Sequence, residues 1–459
     1  MNDKIQEYIY ASKNDILTTL SRLIEISSVK GEPCDGAPFG KEPRRALDEM
    51  LKICAEMGFP SENCFDIVGT ADLCHNGSET ALGILCHLDV VPCQPENWAT
   101  DPYKLTENDG ILYGRGVIDD KGPAVAALYA MKCIKDLGIP LKKGVRLIFG
   151  TDEENGSEDM EIYTSRAKLP PNVFTPDGSF PVINVEKGMM RSSFCGRYKS
   201  GAVRCFHGGS IPNAVPDKAY AEVAVSLGDV QKVIATDKSG AVFSAESIGE
   251  YVRITACGRS AHASTPESGI NAVTALISLL NRLELDGEQA EILRGLQRIF
   301  PFGETNGASV GLKAEDKTGA TTLVFSIFDM ENGECKGTVD VRFPTCLDLK
   351  TVETKEREAF ASVACEFSSY MGDEPHCVDE ESEFVQALLR VYERVEGEKG
   401  ECIAIGGGTY VHNIKGGVAF GAERGDTDYH MHGANEFIPL DELLRDAVLY
   451  ANAIIEICG

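Results

Sequence analysis

Five short segments gather side chains that bind cations or move protons. His87-Leu-Asp89 follows the apolar run Ala81-LGILC. A metal-bound imidazole normally donates its second ring N–H to a carboxylate, and His-x-Asp supplies both groups where the chain turns after a strand. In Gly114-RGVIDDKG, Asp119 and Asp120 open a helical stretch, with Lys121 partly compensating them. A carboxylate there can be a plain helix cap, but two adjacent ones next to a site favour a cation. Thr151-DEENG follows the run Val145-RLIFG and sets Glu153 beside Glu154. Pointing differently, one glutamate can bind metal while the other serves as general base toward a metal-bound water. Thr175-PDG contributes Asp177, in what is also an ordinary turn sequence. His432-GANE precedes the last helix, with His430 as its competitor. Taken singly, each segment has a bland reading as a cap, a turn or a solvated loop. Taken together, two histidines and three carboxylates suit zinc, manganese or cobalt better than calcium or magnesium. One of the carboxylates could bridge two ions about 3.5–4 Å apart. Cys86, just before His87, raises a thiol nucleophile, but no second histidine is placed to activate it and strand interiors bury cysteine.

The elements that must position these groups follow from periodicity. Asn14-DILTTLSRLIEISSV repeats apolar residues at helical spacing, and a second helix runs from Glu42 to Met57, ended by Gly58. Ala81-LGILC and Val145-RLIFG read as strands, separated by the helix Asp120-KGPAVAALYAMKCIKDLG, with Pro123 near its start and Gly138 past its end. Alternating strands and helices predict an α/β sheet of mostly parallel strands, in which ligands bind at the carboxyl ends of strands. From about Gly188 the pattern becomes α+β: strands at Ala219-YAEVAVSL, Tyr251-VRITACG, Thr321-TLVFSIFDMENG and Glu334-CKGTVDVRFP, with helices at Gly269-INAVTALISLLNRLEL and Glu288-QAEILRGLQRIF. The helix Glu383-FVQALLRVYERVEG restarts the α/β pattern, which ends in a helix from Leu440 to Ile457. The expected organisation is a discontinuous catalytic domain, residues 1–187 and 380–459, with an inserted domain at 188–379.

At 459 residues the chain is too long for one ordinary core. A formal net charge of -27 leaves no basic stripe to neutralise phosphates and argues against nucleic acid and anionic membranes. No apolar stretch is long enough to span a bilayer, and the N-terminus lacks the pattern of a leader. Sixteen scattered cysteines without a C-x-x-C read as reduced, mostly buried thiols of a cytoplasmic protein rather than a disulfide framework or a zinc–thiolate cluster.

The motifs, in this order, resemble the metallopeptidase family of aminoacylases, succinyl-diaminopimelate desuccinylases and Xaa-His dipeptidases. They look most like the bacterial peptidase V-type dipeptidases, through GRGVIDDKGP, TDEENGSED, TPDGSFPV, GRSAHASTPESGINA, VDVRFP, IGGGTY and HGANE, over nearly the whole chain. The resemblance implies a zinc-exopeptidase-like α/β catalytic domain with an inserted α+β lid. It implies one metal on His87, Asp119 and Asp177 and a second on Asp119, Glu154 and His432, with Asp119 bridging. It also implies Glu153 as the base that activates a bridging water, Asp89 as the partner of His87, and a cis Asp119–Asp120 peptide. In the lid, His262 of Ser260-AHAS is the implied oxyanion stabiliser. Asn213 of Pro212-NAVP and Arg342 of Val341-RFP are implied to hold the substrate, Arg342 with a fork suited to gripping a carboxylate. Gly408 and Thr409 of Gly406-GGT are implied to receive the substrate carboxylate through the backbone. The plain alternatives are a turn for His262, a surface strand position for Arg342 and an ordinary loop for the glycines. Asn435 stands where many such proteins carry another polar residue. The expectation is a monomeric dipeptidase with two divalent ions, zinc before manganese. An N-acyl-amino-acid deacylase on the same centre is the near alternative, and a non-catalytic binding protein the remote one.

Overall fold

The structure, a computed structural model, describes residues 2–73, 79–199, 201–425 and 427–459. The chain divides into two compact units. The first comprises Met1–Val185, Cys377–Ile403 and Gly408–Gly459, and the second Glu186–His376 and Ala404–Gly407.

In the first unit the strands Gly144–Gly150, Thr80–His87, Asn172–Thr175 and Val418–Ala419 lie side by side in that order and run parallel. Their residues are buried on both faces, as a parallel sheet under helices requires. Antiparallel strands flank this centre: Val68–Leu73 pairs with Gly144–Gly150, and Val182–Glu186 with Val418–Ala419. The helix Lys121–Asp136 is buried almost all round, which its small residues (Ala124, Ala126, Ala127, Ala130) permit. It packs beside the C-terminal helix Leu440–Cys458. The helix expected from Asn14 spans Lys13–Ile24. Before it lies a further helix, Asn2–Ala11, which periodicity did not single out although its buried Ile5 and Ile9 are one turn apart.

The second unit is built on an eight-stranded sheet in which neighbouring strands are antiparallel. The strands Lys218–Val223, Tyr251–Cys257, Thr322–Glu331 and Glu334–Phe343 belong to it. The helices Ala272–Leu280, Glu288–Ile299 and Leu349–Ala361 share one apolar core with this sheet, in which the rings of Phe194 and Phe360 stack at 4.6 Å. Ala272–Leu280 is shorter than its apolar pattern suggests; its start is fixed by the Asn271 side chain, which accepts a hydrogen bond from Thr274 N (3.0 Å).

Among the described residues the cysteines are free thiols; Cys74 lies outside the described residues. No helix of the described residues is long and apolar enough to cross a membrane.

Candidate metal centre

Three neighbouring strand ends deliver candidate ligands. His87 closes the strand Thr80–His87 and is in register with Gly150, the last residue of the adjoining strand. Three residues beyond Gly150 the chain enters the short turn Glu153–Asn155. Asp177 follows the strand Asn172–Thr175, and its N–H donates to Thr175 Oγ1 (3.3 Å). Asp119 lies just before the helix Lys121–Asp136, and the Asp119–Asp120 peptide is cis. His432 comes from the loop ahead of the strand Phe437–Pro439.

All five groups belong to the first unit, and the structure brings them together as two sets: His87, Asp119 and Asp177, and Asp119, Glu154 and His432. Asp119 is common to both and divides its oxygens between them. Its Oδ1 lies 2.9 Å from His87 Nε2, and its Oδ2 lies 3.0 Å from His432 Nε2. Asp177 Oδ2 is 3.8 Å from His87 Nε2, and Glu154 Oε2 is 3.1 Å from His432 Nε2. Glu154 Oε1 is buried without a hydrogen-bond partner, and His87 Nε2, though 2.9 Å from Asp119 Oδ1, is not aligned for a hydrogen bond, an arrangement that water-excluded polar atoms otherwise avoid. Orphaned buried donors of these types, converging from imidazole and carboxylate, fit a pair of divalent transition-metal ions. His430 takes no part: its ring packs edge-on against Phe437 at 5.6 Å.

The charges at the centre are strongly coupled. Burial and the neighbouring Asp119 push Asp177 up to about 7 and raise Glu154. Contacts with Asp119 and Glu154 push His432 up to about 11. Burial works against charging His87, but Asp119 and Asp89 outweigh it. Asp119 itself is buried, yet the two imidazoles hold it well below the usual carboxylate range. Burial, followed by the charges of Asp177 and Glu154, raises the Glu153 carboxyl well above its ordinary value. An acidic array of this kind is a receptor for positive charge.

Its scaffold differs in detail from the expected one. His87 Nδ1 meets the backbone carbonyl of Asp89 at 3.0 Å, whereas the Asp89 carboxylate is 3.5 Å away. That carboxylate instead accepts from Glu153 N and Glu154 N, both at 3.1 Å, so Asp89 fixes the glutamate turn as well as the histidine. Lys121 does not compensate Asp119 and Asp120. Its Nζ is buried and donates to Leu23 O (3.0 Å) and Ile26 O (2.7 Å), where burial lowers its pKa to about 7. Asp120 turns away from the ligands and accepts from His87 N at 3.0 Å. Cys86 is fully buried, which raises its thiol well above the ordinary value and makes it a poor nucleophile.

Two supports were not singled out from the sequence. Glu436, fully buried, accepts from Arg115 Nη1 (2.6 Å), Gly116 N (3.0 Å), Ile118 N (3.1 Å) and Asp119 N (3.3 Å). It therefore ties the loop carrying Asp119 to the segment carrying His432, and Arg115 Nη2 adds a bond to Gly433 O (2.8 Å). Tyr410 sets its ring edge-on to His87 at 5.9 Å and donates to Asp159 Oδ2 (2.5 Å), which also accepts from Thr151 N (2.6 Å). The signal for the first was the arginine inside GRGVIDD and the glutamate closing HGANE, a pair far apart in sequence.

The remaining candidates lie elsewhere in the two units. In the second unit, His262 Nδ1 lies 2.7 Å from Ser264 Oγ, and Asn213 O accepts from Ala263 N (2.9 Å), which draws these two segments together. Arg342 is buried rather than a surface strand residue. Its fork is already engaged within the chain: Nε and Nη2 donate to Asp340 at 2.7 and 3.3 Å, and Nη1 to Gly406 O at 3.4 Å. The glycine run is shared: Gly406 and Gly407 belong to the second unit, Gly408 and Thr409 to the first. Thr409 O accepts from His412 N at 2.9 Å.

Comparison with known proteins supplies independent findings. The family model described as Peptidase family M20/M25/M40 matches residues 83–456. The putative dipeptidase YtjP of Bacillus subtilis (strain 168) is 32% identical over 468 residues, covering 98% of this chain and 98% of that protein. The Beta-Ala-Xaa dipeptidase of Lactobacillus delbrueckii subsp. lactis is 32% identical over 477 residues, covering 100% and 99%. Among solved structures, human carnosine dipeptidase 1 is similar with a TM-score of 0.61 at 18% identity, covering 100% of this chain and 99% of that one. The di-peptidase Dug1p of Saccharomyces cerevisiae is similar with a TM-score of 0.62 at 14% identity, covering 100% and 98%. At such identities the two structures speak to the fold.

Proposed function

Because this chain belongs to Peptidase family M20/M25/M40, we propose that it hydrolyses the amide bond of dipeptides at a centre of two divalent metal ions. The observation that carries the reading is Asp119, whose two oxygens face His87 and His432 separately, each set being completed by one more carboxylate. The names of the relatives, among them a Beta-Ala-Xaa dipeptidase, support a small peptide as the substrate. His87, Asp119 and Asp177 would hold one ion, and Asp119, Glu154 and His432 the other. Bound there, the ions would supply Lewis acidity and lower the pKa of a water toward neutrality. Zinc suits the donors first and manganese second.

Glu153 takes a proton from the attacking water and returns it to the leaving amine. Its half-buried carboxyl, raised above its ordinary value, suits a group that must accept and then release a proton. Asp89 keeps Glu153 and Glu154 in their separate directions by holding both backbone N–H groups. The reading extends to His262 as stabiliser of the developing oxyanion, and to Asn213, Arg342, Gly408 and Thr409 as the groups that hold the substrate carboxylate. For these the support is the family resemblance. A single chain is proposed to suffice, which light scattering on the purified protein tests.

The deciding experiment is metal analysis of the purified protein together with a panel of dipeptides, N-acetyl and N-succinyl amino acids. Two equivalents of metal and turnover of dipeptides support the reading. Turnover confined to the N-acylated compounds would convert it to a deacylase, and turnover of none would end it. His262→Ala should lower kcat strongly, and an unchanged kcat removes His262 from the reaction.

A further inference from the structure

Arg342 is the one cation assigned above to the substrate carboxylate, and the structure shows what controls it. Arginine and Asp340 sit two positions apart on the strand Glu334–Phe343, so both side chains leave the same face. Asp340 is 1% exposed and Arg342 7%. Asp340 accepts from Nε and Nη2 of Arg342 at 2.7 and 3.3 Å, a two-pronged pairing that fixes the plane of the guanidinium. Asp340 is itself braced from the neighbouring strand, where Arg191 lies directly opposite it in register and donates from Nη2 at 3.4 Å. On the far side of the fork, Arg342 Nη1 reaches Gly406 O at 3.4 Å, so the same guanidinium ties down the start of the glycine run within this unit.

We infer that Asp340 is a positioning residue: it holds Arg342, and through it Gly406, as a preassembled receptor for the free carboxylate of a dipeptide. The inference rests on the reading of Arg342 as the group that meets that carboxylate. Its physical basis is the entropy of a long side chain. A free arginine must give up several rotamers to bind, whereas one already clamped on one edge presents its remaining N–H groups in a fixed plane. The hydrogen-bond partners of Asp340 are Arg342 and Arg191, so its loss should act on binding more than on turnover.

The test compares a dipeptide bearing a free C-terminal carboxylate with the same dipeptide as its C-terminal amide, on purified metal-loaded protein. In Asp340→Asn the KM for the free acid should rise on the order of 10- to 100-fold, the loss expected of a hydrogen bond to a charged group. The kcat should stay within a few fold. The preference for acid over amide should fall by at least about tenfold, a readout that a merely structural role would not move. Arg342→Gln should abolish the same preference. If Arg342→Gln does so and Asp340→Asn leaves the ratio within about twofold of the parent, the inference is overturned while the role of Arg342 stands. If Arg342→Gln leaves the ratio unchanged, the assignment of Arg342 falls, and the inference with it. Should Asp340→Asn fail to fold, Asp340→Glu carries the test: it keeps the buried negative charge but displaces the carboxylate by one methylene from its two-pronged pairing with Arg342. Loss of the acid preference in that variant supports the inference, and its retention overturns it.

Discussion

Replacing Glu436 by alanine separates the ligands from what holds them. The carboxylate touches no candidate metal position, yet it accepts from Arg115 and from the backbone of Gly116, Ile118 and Asp119. Arg115 is 2% exposed. Removing its partner leaves a buried, uncompensated guanidinium, which costs about 3–5 kcal/mol. The three freed N–H groups add to this unless water reaches them. The second consequence is on metal. Asp119 serves both sets, so a loop that no longer fixes its backbone should weaken both, on the order of 10- to 100-fold in affinity. Competition against a chromophoric chelator measures the affinity, and urea unfolding of the metal-free protein measures the stability. A second variant checks the cause: combining Glu436→Leu with Arg115→Met removes both charges and should recover much of the lost stability without restoring the affinity. Wild-type affinity and an unshifted unfolding midpoint in Glu436→Ala would refute the reasoning. A double variant no more stable than the single one would refute its charge component.

The other predictions are more direct. Glu153→Gln should keep both metal equivalents by elemental analysis while losing nearly all dipeptide turnover; full activity would remove Glu153 as the base. Exhaustive chelation should abolish hydrolysis and added zinc or manganese restore it, and undiminished hydrolysis after chelation would end the two-metal reading. A Cβ at Gly150 would lie 1.5 Å from Tyr410 Oη and 2.5 Å from Asp159 Oδ2, so Gly150→Ala should destabilise by about 1–3 kcal/mol, read as a lowered melting temperature. Glu356 in the second unit is buried, and burial, outweighing the neighbouring Ser192, pushes its carboxyl up to about 8. The folded state therefore keeps a proton that the unfolded state releases near pH 4.3. Stability should fall as pH rises between those values, by up to about 1.4 kcal/mol per unit. Glu356→Gln should flatten that slope in unfolding experiments at pH 5, 6.5 and 8 (about these values, chosen to span the window).

The convergence of the candidate ligands was legible because each sits at a punctuation mark in the sequence. His87 and the Glu153–Glu154 pair directly follow apolar runs that end at one edge of the parallel sheet, and strand ends are where such sheets bind. The choice of His432 over His430 was not legible. It depends on how a loop lays one ring against Phe437 and the other toward Asp119. The antiparallel flanks of the first sheet escaped too, since an alternating or apolar run carries no direction. Asp89, Lys121 and Arg342 were correctly noticed as charged, but their partners are set by packing. Asp89 holds the backbone of two glutamates, Lys121 reaches carbonyls at the end of the helix Lys13–Ile24 and just past it, and Arg342 is half occupied by its own neighbour.

Asp119 and its partner His432 are 313 positions apart, and the entire second unit is encoded between them. At ribosomal speeds of about 5–20 residues per second, the aspartate emerges roughly 15–60 s before the histidine exists. Throughout that interval the nascent chain can offer only an incomplete chelate. The proposed centre is thus completed only after the whole second unit has been made, and a chain ending between Gly407 and His432 would lack the imidazole of the second candidate set.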